Sequence, residues 1–131
     1  VLVEIDPATR TLRYTSAGHS AAYVLDTEGR RKATLDATGV PLGLFADRSY
    51  PLSEPIQLDP GDLVVIPTDG IHEAENEAEE EFGIDGMLTA VHHHRAKTPS
   101  RMVRALYDEV RAHSGDGPQQ DDITAIVVKV T

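Results

Sequence analysis

Cysteine is absent from the 131-residue chain, which excludes a disulfide framework and zinc–thiolate chemistry and permits a reducing compartment. No apolar run approaches the length of a bilayer-spanning helix, and no signal-peptide pattern opens the sequence. Basic residues are few: 12 Lys and Arg stand against 22 Asp and Glu, for a net charge of −10. Such a chain is poorly suited to nucleic acid or an anionic membrane as its main partner. Apolar residues make up 40% of the chain, enough for one real core in a single domain. The sequence begins Val1-Leu2-Val3, in mid-strand and without Met, so a portion of a longer protein is expected.

The organising stretch runs from Leu58 to Glu75. Asp59-Pro60-Gly61-Asp62 is turn chemistry, because Pro presets φ and Gly tolerates positive φ. Leu63, Val64, Val65 and Ile66 form a continuous apolar run, short enough for a buried strand. The strand is expected to stop at Pro67-Thr68, where Asp69 follows with Gly70 directly after it. A carboxylate at the end of a buried strand is costly unless something charged or hydrogen-bonding meets it. A hard divalent cation would meet it, since magnesium, manganese and calcium favour oxygen ligands. An Asx turn that merely caps the strand is the alternative.

Around this stretch, Val1 to Ile5 and Thr11 to Thr15 read as two strands of a hairpin. Ser16-Ala17-Gly18-His19 interrupts the pattern before Ala22 to Leu25 resumes it. Arg30 to Leu35 reads as an outward-facing strand and Gly39 to Leu44 as a loop. Ser49 to Leu58 is extended and Pro-rich, as at a sheet edge. The acidic run from Glu73 to Glu81 is expected to be mobile or surface-exposed and to bind no metal. Ile84 to Ala96 reads as a helix with Met87, Leu88 and Val91 inward. Its His92, His93 and His94 point about 100° apart, so they cannot share one metal. Thr98-Pro99 opens a second helix, whose buried stripe is Met102, Val103, Leu106, Tyr107 and Val110 and whose end is Gly115. The loop 116–120 then delivers Asp121-Asp122 to the last strand, Ile123 to Val130. Two strand-end carboxylates, Asp69 and Asp121, look more like a shared cation site than either does alone.

SAGHSAAYVL, VPLGL, LDPGDLVVIPTDG, HEAEN followed by EFG, and QQDDITAIVVKV occur in this order. Together they resemble the PPM-type metal-dependent serine/threonine protein phosphatases, in the SpoIIE/RsbU-like bacterial branch, over nearly the whole chain. The resemblance implies an α+β fold, an α-β-β-α four-layer sandwich of antiparallel sheets flanked by helices, of which residues 1–131 are a single incomplete domain, the C-terminal part. It implies a two-metal centre of Mn2+ or Mg2+ whose activated water hydrolyses phosphoserine or phosphothreonine, a role that fits metal catalysis without a protein nucleophile. Asp69 and Asp121 match the family's metal-ligating aspartates, Asp122 lies beside the second, and Gly70 keeps the turn open. The implied substrate is a phosphorylated anti-sigma-factor antagonist or similar signalling protein, in the cytoplasm, with an N-terminal sensor domain as a further expectation.

The family's opening acidic motif, which supplies the metal-bridging aspartate, and its Gly-His-Gly segment do not occur in this sequence. The 131 residues alone are therefore expected to be inactive. His19 either reaches the phosphate or only hydrogen-bonds a loop and shapes the sheet. Glu73 either orients a water near Asp69 or begins the solvated run. Two competing readings are a phosphatase-like domain without activity that binds a partner, and an unrelated acidic β-rich domain that binds calcium.

Overall fold

The computed structural model describes residues 1–131 apart from Asp116 and Pro118, so the loop read at 116–120 falls partly outside the described residues. Leu2–Asp6 (β1) and Thr11–Thr15 (β2) form the expected antiparallel hairpin, with Val3 opposite Tyr14 and Ile5 opposite Leu12. The Asp6 carboxylate closes its turn by accepting the Ala8 amide at 2.8 Å and the Thr9 hydroxyl at 2.8 Å. Ala22–Leu25 (β3) and Arg31–Leu35 (β4) form a second antiparallel pair. The extended segment that follows contributes only Ile56–Gln57 (β5), which pairs with β2 at the edge of a three-stranded sheet ordered β1-β2-β5.

The apolar run becomes Leu63–Pro67 (β6), an inner strand of a four-stranded antiparallel sheet ordered β4-β3-β6-β7, where β7 is Ala125–Lys129. It reads as continuous rather than alternating because both of its faces are buried. Val64 turns toward the other sheet, with Leu12, Tyr14, Val24, Leu35 and Leu58. Leu63 and Val65 turn the other way, onto the helices. Pro67 belongs to the strand instead of ending before it. Its missing amide points away from β7, and β3 reaches only as far as Val65, so no ladder bond is lost.

Asp69–His72 forms a single helical turn (α1) that the sequence reading did not foresee. Gly83–His93 (α2) and Pro99–Ser114 (α3) follow, with Thr98 as N-cap, Pro99 in the first turn and Gly115, at φ 62°, after the last. Met87, Leu88 and Val91 of α2 are buried as expected, and Met102, Leu106 and Val110 of α3 close over the same core. Val103 and Tyr107 are only half-buried, while Ala105, outside the predicted stripe, is buried. Two antiparallel sheets with helices are thus as expected. All three helices bury apolar residues in the core on the far side of the four-stranded sheet. The outer face of the three-stranded sheet presents the exposed residues Leu2, Glu4, Asp6 and Arg13, and the fourth layer has no counterpart among the described residues.

Candidate functional site

Where β6 ends, Thr68 holds the segment that precedes β7. Its amide donates to Thr124 O at 2.9 Å, its hydroxyl donates to Asp122 O at 3.0 Å, and the Thr124 amide donates back to that hydroxyl at 3.0 Å. Asp69 is the next residue and opens α1. Gly70 then lies so close to the second segment that a β-carbon there would meet Asp122 O at 2.5 Å and the Asp121 carbonyl carbon at 3.3 Å. Its φ is not positive. This glycine admits a close approach of backbone to backbone.

Thr68 and Gly70 together bring the Asp69 end of β6 against Asp121-Asp122. Asp69, Asp121 and Asp122 are all exposed. The Asp69 carboxylate accepts only its neighbour's amide, Gly70 N at 3.2 Å, and Asp121 accepts Asp122 N at 2.7 Å. Neither is paired with Lys, Arg or His among the described residues. The contrast is Asp62 at the other end of the same strand, 1% exposed and met by the Lys32 ammonium at 2.7 Å and the Asp59 amide at 2.9 Å. Lys32 also reaches Asp59 at 2.7 Å. The turn reading of residues 59–62 missed this half-buried ion pair, because nothing local in the sequence places Lys32 against it.

Two hard, unpaired carboxylates suit a magnesium or manganese ion. Among the described residues no group of three or more His, Cys, Asp or Glu is placed to hold a metal. The described residues do not by themselves make a two-metal centre.

Beside Asp121 opens a cleft of about 270 Å³, lined by Gly70, Glu73, Glu75, Glu81, Arg111 and Asp121 among others. Glu73 closes α1 through its amide, which donates to Asp69 O at 2.9 Å, and it shares the cleft wall with Asp121. Gln120 ties the Asp121 segment to the opposite wall by donating to Glu75 Oε2 at 3.2 Å. Neither Gln120 nor Thr68 was singled out from sequence. His19 is elsewhere: its Nδ1 lies 2.8 Å from Ser20 O, before β3, and it does not line the cleft. The neighbouring Gly18, at φ 71°, lies under Pro41, where a β-carbon would meet the ring at 2.5 Å.

The acidic run is at the surface, with Glu77, Glu79, Glu80 and Glu81 exposed, and it forms an ordered turn. Asn76 Oδ1 accepts the amides of Ala78 at 2.9 Å and Glu80 at 3.0 Å, and the Phe82 amide donates to Ala74 O at 2.8 Å. The consecutive histidines diverge. His92 meets Arg95 at 2.6 Å, His94 meets Glu109 of α3 at 2.6 Å, and His93 is exposed.

Two antiparallel sheets with helices packed on one of them match a PPM-type, or PP2C-type, phosphatase domain fold. The chain belongs to the Stage II sporulation protein E (SpoIIE) family, whose model matches residues 1–131. It is 30% identical over 125 residues to protein IcfG of Synechocystis, covering 95% of this chain and 19% of that protein. It is 28% identical over 122 residues to the phosphoserine phosphatase RsbU of Bacillus subtilis, covering 88% of this chain and 34% of that one. The fold is similar to the structure of the PP2C phosphatase domain and regulatory-domain fragment of SpoIIE from Bacillus subtilis, with a TM-score of 0.77 at 22% identity, covering 98% of this chain and 36% of that one. The chain thus spans about a third or less of the length of these curated relatives.

Proposed function

We propose that residues 1–131 are the C-terminal part of a protein serine/threonine phosphatase domain. Asp69 and Asp121 would hold one Mn2+ or Mg2+ of its two-metal centre. The observation that carries this reading is the clamp at the end of β6, where Thr68 and the bare Gly70 draw Asp121-Asp122 against α1. Family membership and the phosphoserine phosphatase activity named for RsbU support the reaction class. When bound, the metal pair supplies an activated water for attack on the phosphoryl group. The chain's own residues position. Thr68 fixes the segment after Asp121, Gly70 allows the approach, and Gln120 and Glu75 hold the cleft beside it. Asp122 and Glu73 line or flank this site, whereas His19 shapes the break before β3.

The substrate class proposed is a phosphorylated anti-sigma-factor antagonist or similar small signalling protein in the cytoplasm, with a sensor domain elsewhere in the protein. The test is a parallel assay of this chain and of the longer natural domain on a phosphoserine peptide with manganese. Titration of the chain with Mn2+ runs alongside, read by electron paramagnetic resonance. The chain alone should bind the ion weakly and not turn over, because two carboxylates fit one cation only. The longer domain should turn over and lose activity on Asp69→Asn or Asp121→Asn. Mn2+ binding indifferent to both substitutions would overturn the assignment of the ligands.

A further inference from the structure

The net charge of −10 is spread unevenly along the chain. From Gly86 to Tyr107 there is no Asp or Glu, yet Arg95, Lys97, Arg101 and Arg104, four of the 12 Lys and Arg, lie there beside the three consecutive histidines. The fold gathers these residues at the corner where α2 turns into α3. His93, Arg95, Lys97, Arg101 and Arg104 are all exposed. The Lys129 ammonium joins them, donating to Arg95 O at 2.7 Å. This corner is the solvent side of the helix layer, whose buried residues pack on the four-stranded sheet.

Little nearby cancels the charge. The last carbonyls of α2 are taken by the backbone amides of His94, Arg95 and Lys97. α3 opens with no acid in its first turn and no side-chain bond from Thr98, so the positive end of its dipole adds to the cations. The carboxylates on the flanking elements are engaged. Asp26 and Glu28, in the turn that Arg95 reaches through Thr27 O, are met by Arg30 at 2.8 and 2.9 Å. Asp108 is met by Arg104 at 3.1 Å, and Glu109 lies 2.6 Å from His94 Nε2. Among the described residues Lys97 and Arg101 form no ion pair. The corner is also remote from the candidate cation site. α3 has 16 residues and is therefore about 24 Å long, and it is the other end of this helix, with Arg111 and Ser114, that lines the cleft beside Asp121.

We propose that the α2–α3 corner is a docking surface for an acidic helical segment of a partner protein. Charge and reach select that occupant. At physiological salt, attraction between exposed charges extends about 8 Å. A short acidic segment seated here meets the corner alone. A bilayer or a nucleic-acid duplex extends over many such lengths and meets the acidic remainder of the chain as well. Arg101 and Arg104 share one face of α3 with their β-carbons about 5–6 Å apart, the spacing of carboxylates three or four residues apart on a facing helix, and Lys97 stands just before them at the helix mouth. Docking here leaves Asp69 and Asp121 open, so the surface stands independently of the metal assignment.

The test uses the longer natural domain and a fluorescein-labelled helical peptide with Glu at three- and four-residue spacing, its binding read by anisotropy across a salt series. The peptide should bind at low salt and weaken as salt rises. Lys97→Glu and Arg101→Glu should each weaken it at least about tenfold, because reversing a charge replaces an attraction by a repulsion. Arg48→Glu, which reverses an exposed cation on another loop, and Asp69→Asn should leave it unchanged. Both corner side chains are exposed, so the melting temperatures of their variants should match the parent's. Phosphatidylserine vesicles and a DNA duplex, run as competitors, should not displace the peptide. Absence of binding, binding indifferent to Lys97→Glu and Arg101→Glu, or displacement by either competitor would overturn the proposal.

Discussion

Replacing Gly70 by alanine separates two effects that oppose each other. Helix propensity alone favours alanine over glycine by about 1 kcal/mol in a helix interior, and the φ of Gly70 needs no glycine. Against this, the new β-carbon would lie 2.5 Å from Asp122 O, 3.1 Å from the Asp122 carbonyl carbon and 3.3 Å from that of Asp121. These are backbone atoms, so no rotamer change relieves the overlap. The Thr68 hydroxyl, 3.0 Å from Asp122 O, resists the shift that would. Overpacking of this kind costs typically about 1–3 kcal/mol, and α1 is one turn long, so the propensity gain is at its smallest. We expect a net destabilisation of about 1–2 kcal/mol, a fall in melting temperature of roughly 4–8 °C, and weaker Mn2+ binding as the Asp121 segment is pushed from Asp69.

Gly86→Ala is the internal control. There the atoms nearest the β-carbon would be those of the Phe82 ring, at 3.7 Å, which is ordinary van der Waals contact. That variant should gain up to about 1 kcal/mol. Calorimetry of both, with Mn2+ titration of each, reads the contrast directly. A Gly70→Ala chain as stable as the parent, or moving in the same direction as Gly86→Ala, would refute the close approach and with it the argument that this glycine sets the site.

Lys32→Met should cost about 3 kcal/mol at neutral pH in urea melts, because it leaves Asp62 buried without its cation. In the parent, burial pulls the Lys32 pKa down, but the hydrogen bonds and charges of Asp59 and Asp62 outweigh it and raise the pKa overall. The stabilisation from a raised lysine is complete below the unfolded value of about 10.4 and is lost as pH rises through the folded value. The parent should therefore weaken in that alkaline window, and Lys32→Met should show a flatter limb. Replacing Glu77, Glu79 and Glu80 together by Gln should leave both the melt and Mn2+ affinity almost unchanged. The amide oxygen introduced by Glu80→Gln can still accept from the Asn76 side chain, which reaches the Glu80 carboxylate at 2.9 Å. A large loss of Mn2+ affinity would place the acidic turn in the site.

Much of the architecture was legible because each element carries its own local signal. The β1–β2 hairpin, the buried run of β6 and the Pro99-to-Gly115 span of α3 are written in turn chemistry, apolar continuity and capping residues. What could not be read depends on long-range approach. A four-residue helix such as α1 has too few turns to show a period. Lys32 is 30 residues from Asp62, and no local pattern joins them. Val103 and Tyr107 fit the helical stripe, yet they line a groove with Ile123 and Ala125, so periodicity overstated their burial.

The candidate site shows the same division. β6 is flanked by an aspartate on each side, and sequence assigns both to turns or caps with equal ease. Only the fold separates them. Asp62 is enclosed and neutralised by Lys32 and a backbone amide, so its charge is spent on structure. Among the described residues Asp69 is paired with no Lys, Arg or His, and the glycine after it is pressed against the backbone of Asp121-Asp122. A fold that needed only a strand cap at this point could hold Asp69 in an Asx turn without excluding a β-carbon from the next residue. On the proposed function, the excluded β-carbon at Gly70 is what lets the segment of Asp121 approach Asp69 closely enough to share a hard cation.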